Sequence, residues 1–367
     1  MKLLANYNIK SHKDKENSLI EMWRIENSTN ILKTNAGWDV SETKGIFLAN
    51  TKSNKVSEKE ANDRYKFLKD YDLVWGTYQV NVFIHAFMMV MQQKLKTKFI
   101  LDIDDNLFDI DPSNPFLTHL PKKYEMHLLG MAVDAKYVTT SNETLAKKLR
   151  EERYYRPKES VVVIPNLIST ERYKPAKIDN KDRIVIGYAG GSSHYNDLHK
   201  SNAIDALQKI MHEYKNVYVE SAGIKLDKYL PKARYKFLGG TSGVQNWLDF
   251  YSTFKFDIGL APILDTPFNI CKSNIKWQEY SLMGIPTIAS KVGPYAESIK
   301  HASTGYLVEN TMDGWYNAYK LLIENETLRR KIGAKAKQDV IDNWSLENNW
   351  QKIKDGLDQL NSLDIKD

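Results

Sequence analysis

The sequence has almost no cysteine. Its 367 residues contain a single one, Cys271, which excludes a disulfide framework, a four-cysteine zinc site and a CxxC redox motif. A reducing compartment is expected, and the cytoplasm is the predicted location. The histidines lack the spacing of a metal site, because no H-E-x-x-H motif is present. No metal is therefore predicted.

Long apolar runs are also missing. The most apolar stretch, residues 80–91, would be about 18 Å long as a helix, well short of the roughly 30 Å hydrocarbon core of a bilayer. No transmembrane segment is predicted, although peripheral contact with the inner face of a membrane stays open. The net charge of +6 permits a polyanionic partner without requiring one.

Apolar segments of strand length alternate with helical patterns along most of the sequence, which is typical of parallel βαβ units. A polar, proline-containing stretch at 172–182 has the composition of a linker. We therefore predict an α/β fold with domains at 1–175 and 176–345, and a C-terminal helical segment at 346–367 that packs back on the first domain. Ligands of open α/β sheets bind where the strands end.

One candidate loop, GGSSH at 190–194, directly follows a predicted strand. Glycine lets a ligand approach the backbone, and successive N–H groups ahead of a helix favour an anion. The loop matches neither the G-x-G-x-x-G fingerprint nor the P-loop, so an NAD site and an ATPase are unsupported. A phosphate site and a plain tight turn both remain open. His194 could donate to a phosphate oxygen or a sugar hydroxyl, or form a local cap with Asp197.

A second segment, 257–293, predicts a strand, an irregular loop and a helix at 273–283. Lys272, Lys276 and Glu279 are spaced i, i+4 and i+7, which would place them on one helical face. A helix N-terminus beside a lysine suits a diphosphate, and a carboxylate two turns further on suits ribose hydroxyls. The alternative interpretation is a solvated charged face.

The stretch 279–290, EYSLMGIPTIAS, resembles the E-A-M-A-x-G-x-P-V-I-A-S segment of nucleotide-sugar-dependent glycosyltransferases of the GT-B architecture, especially family 4. The later GPY at 293–295 and GYLV at 305–308 resemble the continuation of that segment. The resemblance covers mainly 183–345 and, more loosely, 72–170. It implies two Rossmann-like domains that face each other across a cleft, with Glu279 holding the donor ribose.

This sequence departs from the family pattern at two places. The first glutamate of the family's Glu-x7-Glu pair falls on Cys271, which leaves the catalytic assignment open. The family's basic pair in the first loop of the C-terminal domain has no counterpart after Gly191. Lys272 and Lys276 could supply that positive charge instead.

Three aspartates crowd the end of the predicted strand 98–103: Asp102, Asp104 and Asp105. Such carboxylates are costly to bury unless they face a cleft, a cation or basic partners. A D-x-D pattern can bind manganese in single-domain glycosyltransferases. Alternatively, Asp104 or Asp105 orients the acceptor hydroxyl or takes its proton, or the group ties down the following loop.

The resemblance predicts an enzyme, a hexosyl- or pentosyltransferase. It would move a sugar from a nucleoside diphosphate sugar, UDP-type, to a hydroxyl acceptor, with retention of configuration and without metal or other cofactor. The acceptor is a cell-surface or lipid-linked saccharide, or a hydroxymethylated DNA base. A non-catalytic sugar-nucleotide-binding module and a nucleotide-sugar epimerase of the same architecture are the alternatives.

The predicted donor-binding residues are Gly190, Gly191, Ser192, Ser193, Asn269, Lys272, Ser273, Lys276 and Glu279. The predicted catalytic residues are Asp104, Asp105, His194 and Lys272.

Overall fold

The computed structural model describes residues 1–7, 22–44, 57–77, 89–119, 124–153, 158–174, 182–240 and 244–364. Contacts between residues divide the chain into two compact units. The first unit consists of Met1–Phe108, Leu120–Leu167 and Asn349–Asp367, and the second unit of Asp109–His119 and Ile168–Asn348. The domain boundaries drawn from the sequence, at 175 and 345, stay predictions. Part of the predicted linker, 175–181, lies outside the described residues.

The first unit is built on a parallel sheet of six strands in the order β2-β1-β3-β4-β5-β6. These strands are β1 (Lys2–Tyr7), β2 (Asp39–Lys44), β3 (Leu73–Thr77), β4 (Lys98–Ile103), β5 (Tyr137–Thr140) and β6 (Val161–Val163). Strands β3 and β5 are buried at every position, as expected for a parallel sheet with both faces covered.

The helices of the first unit follow the predicted alternation. They are α1 (Asn27–Asn35), which continues a π-helical turn at Met22–Glu26, α2 (Glu58–Leu68), α3 (Tyr124–Asp134) and α4 (Glu143–Lys147). Residues 89–94 are also helical, and the rest of the apolar run 80–91 lies outside the described residues. Asn142 caps α4, because its side chain accepts the N–H of Leu145 at 2.9 Å.

A C-terminal helix belongs to this unit as well. It is α13 (Gln351–Ser362), and it buries Ile353, Leu357 and Leu360. The Lys98 ammonium donates to the terminal carbonyls of Asn361 and Leu363. A lysine at these orphan carbonyls satisfies them and complements the helix dipole.

The second unit also contains a parallel sheet of six strands, ordered β12-β11-β10-β7-β8-β9. They are β7 (Ile184–Ala189), β8 (Val217–Ala222), β9 (Tyr235–Gly239), β10 (Ile258–Ala261), β11 (Thr287–Ser290) and β12 (Tyr306–Val308). The chain first builds outward from β7 through β8 and β9, then returns to add β10 on the other side of β7. This strand order is that of the dinucleotide-binding Rossmann sheet.

Helices pack against this sheet around a core that includes Leu207, Trp315 and Tyr319. They are α5 (Tyr195–Lys200), α6 (Ala203–Glu213), α7 (Val244–Tyr251), α8 (Ile275–Leu282), α9 (Gly293–Ser298), α10 (Met312–Glu324), α11 (Glu326–Asn343) and α12 (Leu346–Asn349). Two six-stranded parallel sheets with covering helices confirm the predicted α/β fold of two Rossmann-like domains.

Candidate functional site

The carboxyl ends of β7 and β10 form the switch point of the second sheet, where successive connections leave in opposite directions. Open α/β sheets bind their ligands at such a point. Strand β7 runs into the loop 190–194, and β10 runs into the loop 262–274. Both loops that the sequence singled out in this half therefore start at the switch point.

The two glycines of the first loop have different surroundings. A methyl group on Gly190 would come within 2.8 Å of the Lys276 ammonium and closer still to the Tyr188 hydroxyl. A methyl group on Gly191 would meet no atom within 4 Å, and the backbone φ of −82° there suits any residue. Close packing requires a glycine at position 190. At position 191 a side chain would fit, and the glycine there leaves open space beside an exposed backbone.

A segment from the first half of the chain supports this loop within the second unit. We call Asp109–His119 the inserted segment. Its Asn114 amide donates to the Ser193 carbonyl at 3.0 Å, and its Ser113 hydroxyl accepts from the Asn196 amide at 3.0 Å. Nothing in the sequence signalled this support, because the two segments are about 80 positions apart.

Asp197 connects the two loops. Its Oδ2 lies 3.0 Å from Nδ1 of His194, and its Oδ1 accepts from the Leu264 N–H at 3.0 Å and the Asn269 amide at 2.6 Å. Burial alone would raise the pKa of Asp197, but these hydrogen bonds and the charge of Lys272 bring it below its usual range. Asn269, a predicted residue of the sugar-donor site, donates its amide protons within this network, to Asp197 and to the Leu264 carbonyl.

The lysines of the second loop are buried rather than solvated. Lys272 and Lys276 are 6% and 7% exposed, and Glu279 is 4% exposed, so the interpretation as a solvated charged face is wrong. Helix α8 begins at Ile275, two residues later than predicted. Lys272 therefore precedes the helix instead of sharing a face with Lys276. Predicted Ser273 lies half-buried between that lysine and the helix.

The Lys276 ammonium lies beneath the first loop. It donates to the Ala189 carbonyl and sits 4.9 Å from the ring centre of Tyr188. Burial lowers the pKa of Lys276 to about 8. Among the residues that the structure describes, no carboxylate forms an ion pair with it. The charges of Glu279 and Asp197 raise this pKa against the effect of burial, but a buried ammonium without a contacting carboxylate stays costly unless a ligand supplies negative charge.

Glu279 lies in an aromatic pocket of the same unit. Its Oε1 accepts from the Tyr173 hydroxyl at 2.8 Å and the Trp247 indole at 3.3 Å. Burial raises the pKa of Glu279 to about 7, against the lowering effect of these donors and of Lys276. Sequence reasoning missed Tyr173 and Trp247, because neither is near the glutamate in the chain.

A glycine and a proline shape the turn after α8. Gly284 adopts a φ of +74°, a left-handed conformation that favours glycine at the end of a helix. The Ile285 N–H closes back on the Tyr280 carbonyl at 2.9 Å, and Pro286 follows, so the helix cannot continue. The chain then enters β11.

Cys271 occupies the position of the family's first glutamate and is fully buried. It ends a short 3₁₀ turn, Asn269–Cys271. That turn is held against Gly293, where an added methyl group would come 2.8 Å from the Ile270 Cα. The turn is therefore part of the packed core of this loop.

The predicted acidic residues lie in the first unit and divide into two environments. Asp102 is fully buried and forms a two-point ion pair with Arg24, at 2.9 and 2.5 Å. Asp104 is 12% exposed at its side chain, and its Oδ1 accepts from the Asn166 amide at 3.1 Å. Burial and the neighbouring charge of Asp105 raise the pKa of Asp104 to about 6. Asp102 is therefore structural, whereas Asp104 is partly exposed and lies 4.0 Å from the same guanidinium.

The second unit thus brings together all nine predicted donor-binding residues and His194, whereas Asp104 and Asp105 belong to the first unit. Within the described ranges, no group of three or more His, Cys, Asp or Glu side chains could hold a metal ion. In the same ranges, no helix is long and apolar enough to cross a bilayer.

A protein-family model matches part of the chain. Residues 275–339 match the family described as "Glycosyl transferases group 1", which covers α8 through most of α11. The predicted resemblance to GT-B glycosyltransferases is confirmed. The prediction of an enzyme of this class is confirmed with it. The group 1 segment contains Lys276 and Glu279, whereas the loops at 190–194 and 262–274 precede it. A search of curated protein sequences finds no match.

Solved structures show the same two-domain fold over nearly the whole chain. Anabaena HepE, solved with UDP and glucose, is 16% identical over 98% of this chain and 100% of its own, with a TM-score of 0.66. A glycosyltransferase from Rickettsia africae is 16% identical over 99% of both chains, with a TM-score of 0.68. Sucrose-phosphate synthase from Thermosynechococcus elongatus is 13% identical over 98% and 99%, with a TM-score of 0.68.

Proposed function

We propose that this GT-B glycosyltransferase takes a sugar from a nucleoside diphosphate sugar, UDP-type, and transfers it to a hydroxyl of a saccharide acceptor. The observation that carries the proposal is the buried Lys276 ammonium at the switch point. It lies directly beneath Gly190, at the start of the loop whose backbone is open at Gly191. The UDP complex of Anabaena HepE supports the choice of nucleotide.

The diphosphate would bind over Lys276 and Lys272. The N-terminal end of α8 adds a partial positive charge, and the N–H groups and hydroxyls of Ser192 and Ser193 add donors. A bound diphosphate would supply a contacting counter-ion and return the pKa of Lys276 towards its ordinary value. This is the energetic reason for burying one lysine in the loop and another in the first turn of α8.

The nucleoside would bind at Glu279. Tyr173 and Trp247 both donate to Oε1, so ribose hydroxyls would donate to Oε2. Donation to the ionised carboxylate favours that form, so ribose binding and ionisation of Glu279 reinforce each other.

For catalysis, Lys272 and the loop N–H groups would stabilise the charge that develops on the leaving diphosphate. Because these groups already provide positive charge, we propose that the transfer needs no metal. Retention of configuration stays an implication of the resemblance, with Cys271 in place of the family's first carboxylate. In the first unit, Asp104 and Asp105 would serve the acceptor hydroxyl. A cytoplasmic location, free or at the inner face of a membrane, stays a prediction.

The first test measures ligand binding and donor cleavage. UDP should raise the melting temperature more than ADP or GDP does, since a ligand that binds only the folded state stabilises it. Release of UDP from UDP-glucose would exclude a non-catalytic module, and appearance of a second UDP-sugar would indicate an epimerase. If none of the three nucleotides stabilises the protein, the proposal is wrong.

The second test removes the loop cation. Lys272→Ala should lower kcat by at least about 100-fold, the scale of losing one leaving-group stabiliser, while the circular dichroism spectrum stays unchanged. Lys291→Ala is the matched control, because Lys291 is 60% exposed and pairs with surface Glu309. Equal kinetics for wild type and Lys272→Ala would contradict the donor site.

The third test concerns the acceptor. If the acceptor is a saccharide, the rate of sugar transfer should change little between low and moderate salt. A hydroxymethylated DNA acceptor predicts DNA binding that collapses over the same range, since each phosphate contact releases a counter-ion. Salt-sensitive DNA binding with transfer to the base would replace the saccharide proposal.

A further inference from the structure

His194 is held by one buried partner. Its Nδ1 lies 3.0 Å from Oδ2 of Asp197, a carboxylate that is 2% exposed. The other carboxylate oxygen is occupied by the Leu264 N–H and the Asn269 amide. The imidazole is 18% exposed at its side chain. Asp197 therefore holds the ring through Nδ1, while part of the ring stays exposed.

The placement of the imidazole proton follows from this geometry. An ionised carboxylate only accepts hydrogen bonds, so the shared proton resides on Nδ1. Burial, followed by the charge of Lys272, lowers the pKa of His194 to about 4, against the raising effect of Asp197. The ring is therefore neutral near pH 7, and Nε2 carries a lone pair. Across the described part of the chain, no group donates to Nε2.

A lone pair at Nε2 selects for a hydroxyl. Phosphate oxygens at neutral pH have no proton to donate, apart from a monoester near its second pKa, whereas every sugar hydroxyl has one. We propose that His194 is a specificity-determining residue that accepts a hydrogen bond from a hydroxyl of the transferred sugar, with Asp197 and Asn269 as its positioning residues. This inference rests on the proposed function.

The contacts along the site indicate whether His194 would face the ribose or the transferred sugar. His194 shares Asp197 with Asn269, three residues before Lys272, whereas Glu279 lies about one helical turn after Lys276. The order along the site is thus Glu279, Lys276, Lys272, His194. A diphosphate over the two lysines then has the ribose at the Glu279 end and the transferred sugar at the His194 end.

The first experiment needs no donor. In ¹⁵N-histidine-labelled full-length protein, the His194 ring nitrogens are assigned by their loss in His194→Gln. We expect a neutral Nδ1–H ring whose shifts stay constant from pH 5.5 to 8. In Asp197→Asn the amide would donate to Nδ1, so the proton should move to Nε2. Titration of His194 near its ordinary pKa, or an Nε2–H ring in the wild type, overturns the inference.

The second experiment measures binding by calorimetry. The probes are UDP, UDP-glucose and the 2-, 3-, 4- and 6-deoxy analogues of UDP-glucose. One deoxy analogue should bind the wild type about tenfold more weakly, the loss of one hydrogen bond. His194→Ala should bind UDP within twofold of wild type and no longer distinguish that analogue.

The outcomes separate the two proposals. If His194→Ala weakens UDP and every UDP-sugar equally, His194 contacts the phosphates and this inference is wrong while the donor site stands. If wild type and His194→Ala show the same relative affinities for the deoxy analogues, His194 does not bind a sugar hydroxyl and this inference is wrong. If the wild type binds none of the probes, the proposed function fails and this inference fails with it.

Discussion

At the scale of single residues, the adjacent glycines 190 and 191 provide a matched pair. Gly190→Ala forces a methyl group against Tyr188 and Lys276, so it should lower the free energy of unfolding by about 1–3 kcal/mol. Gly191→Ala meets open space, so it should change stability by less than about 0.5 kcal/mol.

In the proposed site the methyl group of Gly191→Ala blocks the diphosphate, and UDP affinity should fall about tenfold. Urea unfolding and calorimetry measure both. Unchanged UDP affinity in Gly191→Ala would place the diphosphate elsewhere.

Glu279 gives the site a pH dependence. Its pKa is raised from 4.5 to about 7, so the native state holds a proton that the unfolded state releases in this interval. The contribution of protonated Glu279 to the free energy of unfolding is therefore complete below about pH 4.5. It is lost as the pH rises to about 7, by up to about 1.4 kcal/mol per pH unit. Glu279→Gln should remove this slope from the unfolding free energy.

The slope is read as the difference between wild type and variant from pH 5 to 8, so that other titrating groups cancel. Glu309→Gln makes the same chemical change at an exposed position and should leave the slope intact. A Glu279→Gln curve parallel to wild type would mean that the buried carboxyl is already ionised at pH 5.

Residue patterns located the loops at the switch point but not the electrostatics of their side chains. The spacing of Lys272, Lys276 and Glu279 drew attention to a loop that does start there, because local sequence determines where a strand ends and a helix begins. It did not reveal that the three side chains are buried, or that Tyr173 and Trp247 donate to the glutamate. Burial depends on elements that are distant in the chain, and a pattern of neighbours carries no information about them.

At the scale of elements, the inserted segment tests how the first loop is held. Asn114→Ala removes the donor to the Ser193 carbonyl, a loss of about 1 kcal/mol. Because that carbonyl belongs to the proposed phosphate loop, UDP affinity should fall about threefold to fivefold. Asn196→Ala removes the neighbouring contact to Ser113 and should change UDP affinity less than twofold. Equal effects in the two variants would show that the inserted segment acts as a whole.

Element types were predicted better than their ends. Strand β4 begins and ends at the predicted residues, Lys98 and Ile103. Helix α8 begins two residues late because the 3₁₀ turn Asn269–Cys271 occupies the chain just before it. That turn packs against Gly293, so its position is set by tertiary contact rather than by local propensity.

At the scale of the whole molecule, the chain crosses between the units more often than a single linker would allow. The inserted segment leaves the first half for the second unit, and α13 leaves the second half for the first unit. Composition at 172–182 predicted one crossing, since a linker has a polar signature. The other crossings are made by ordinary ordered segments, which look like any loop or amphipathic helix in the sequence.

The return of α13 makes the stability of the first unit depend on the end of the chain. Deleting residues 351–367 removes the buried Ile353, Leu357 and Leu360 and the carbonyls that Lys98 caps. The first unit should lose at least about 3 kcal/mol. Hydrogen exchange should therefore accelerate in β4 and β5, while β7 and β10 keep their protection, because no part of the second unit is deleted. Lys98→Met should accelerate exchange in the same strands to a smaller extent, and Lys354→Met, at a half-buried i,i+4 pair on α13, should not. Equal acceleration in β7 and β10 would mean that the two units unfold as one cooperative body.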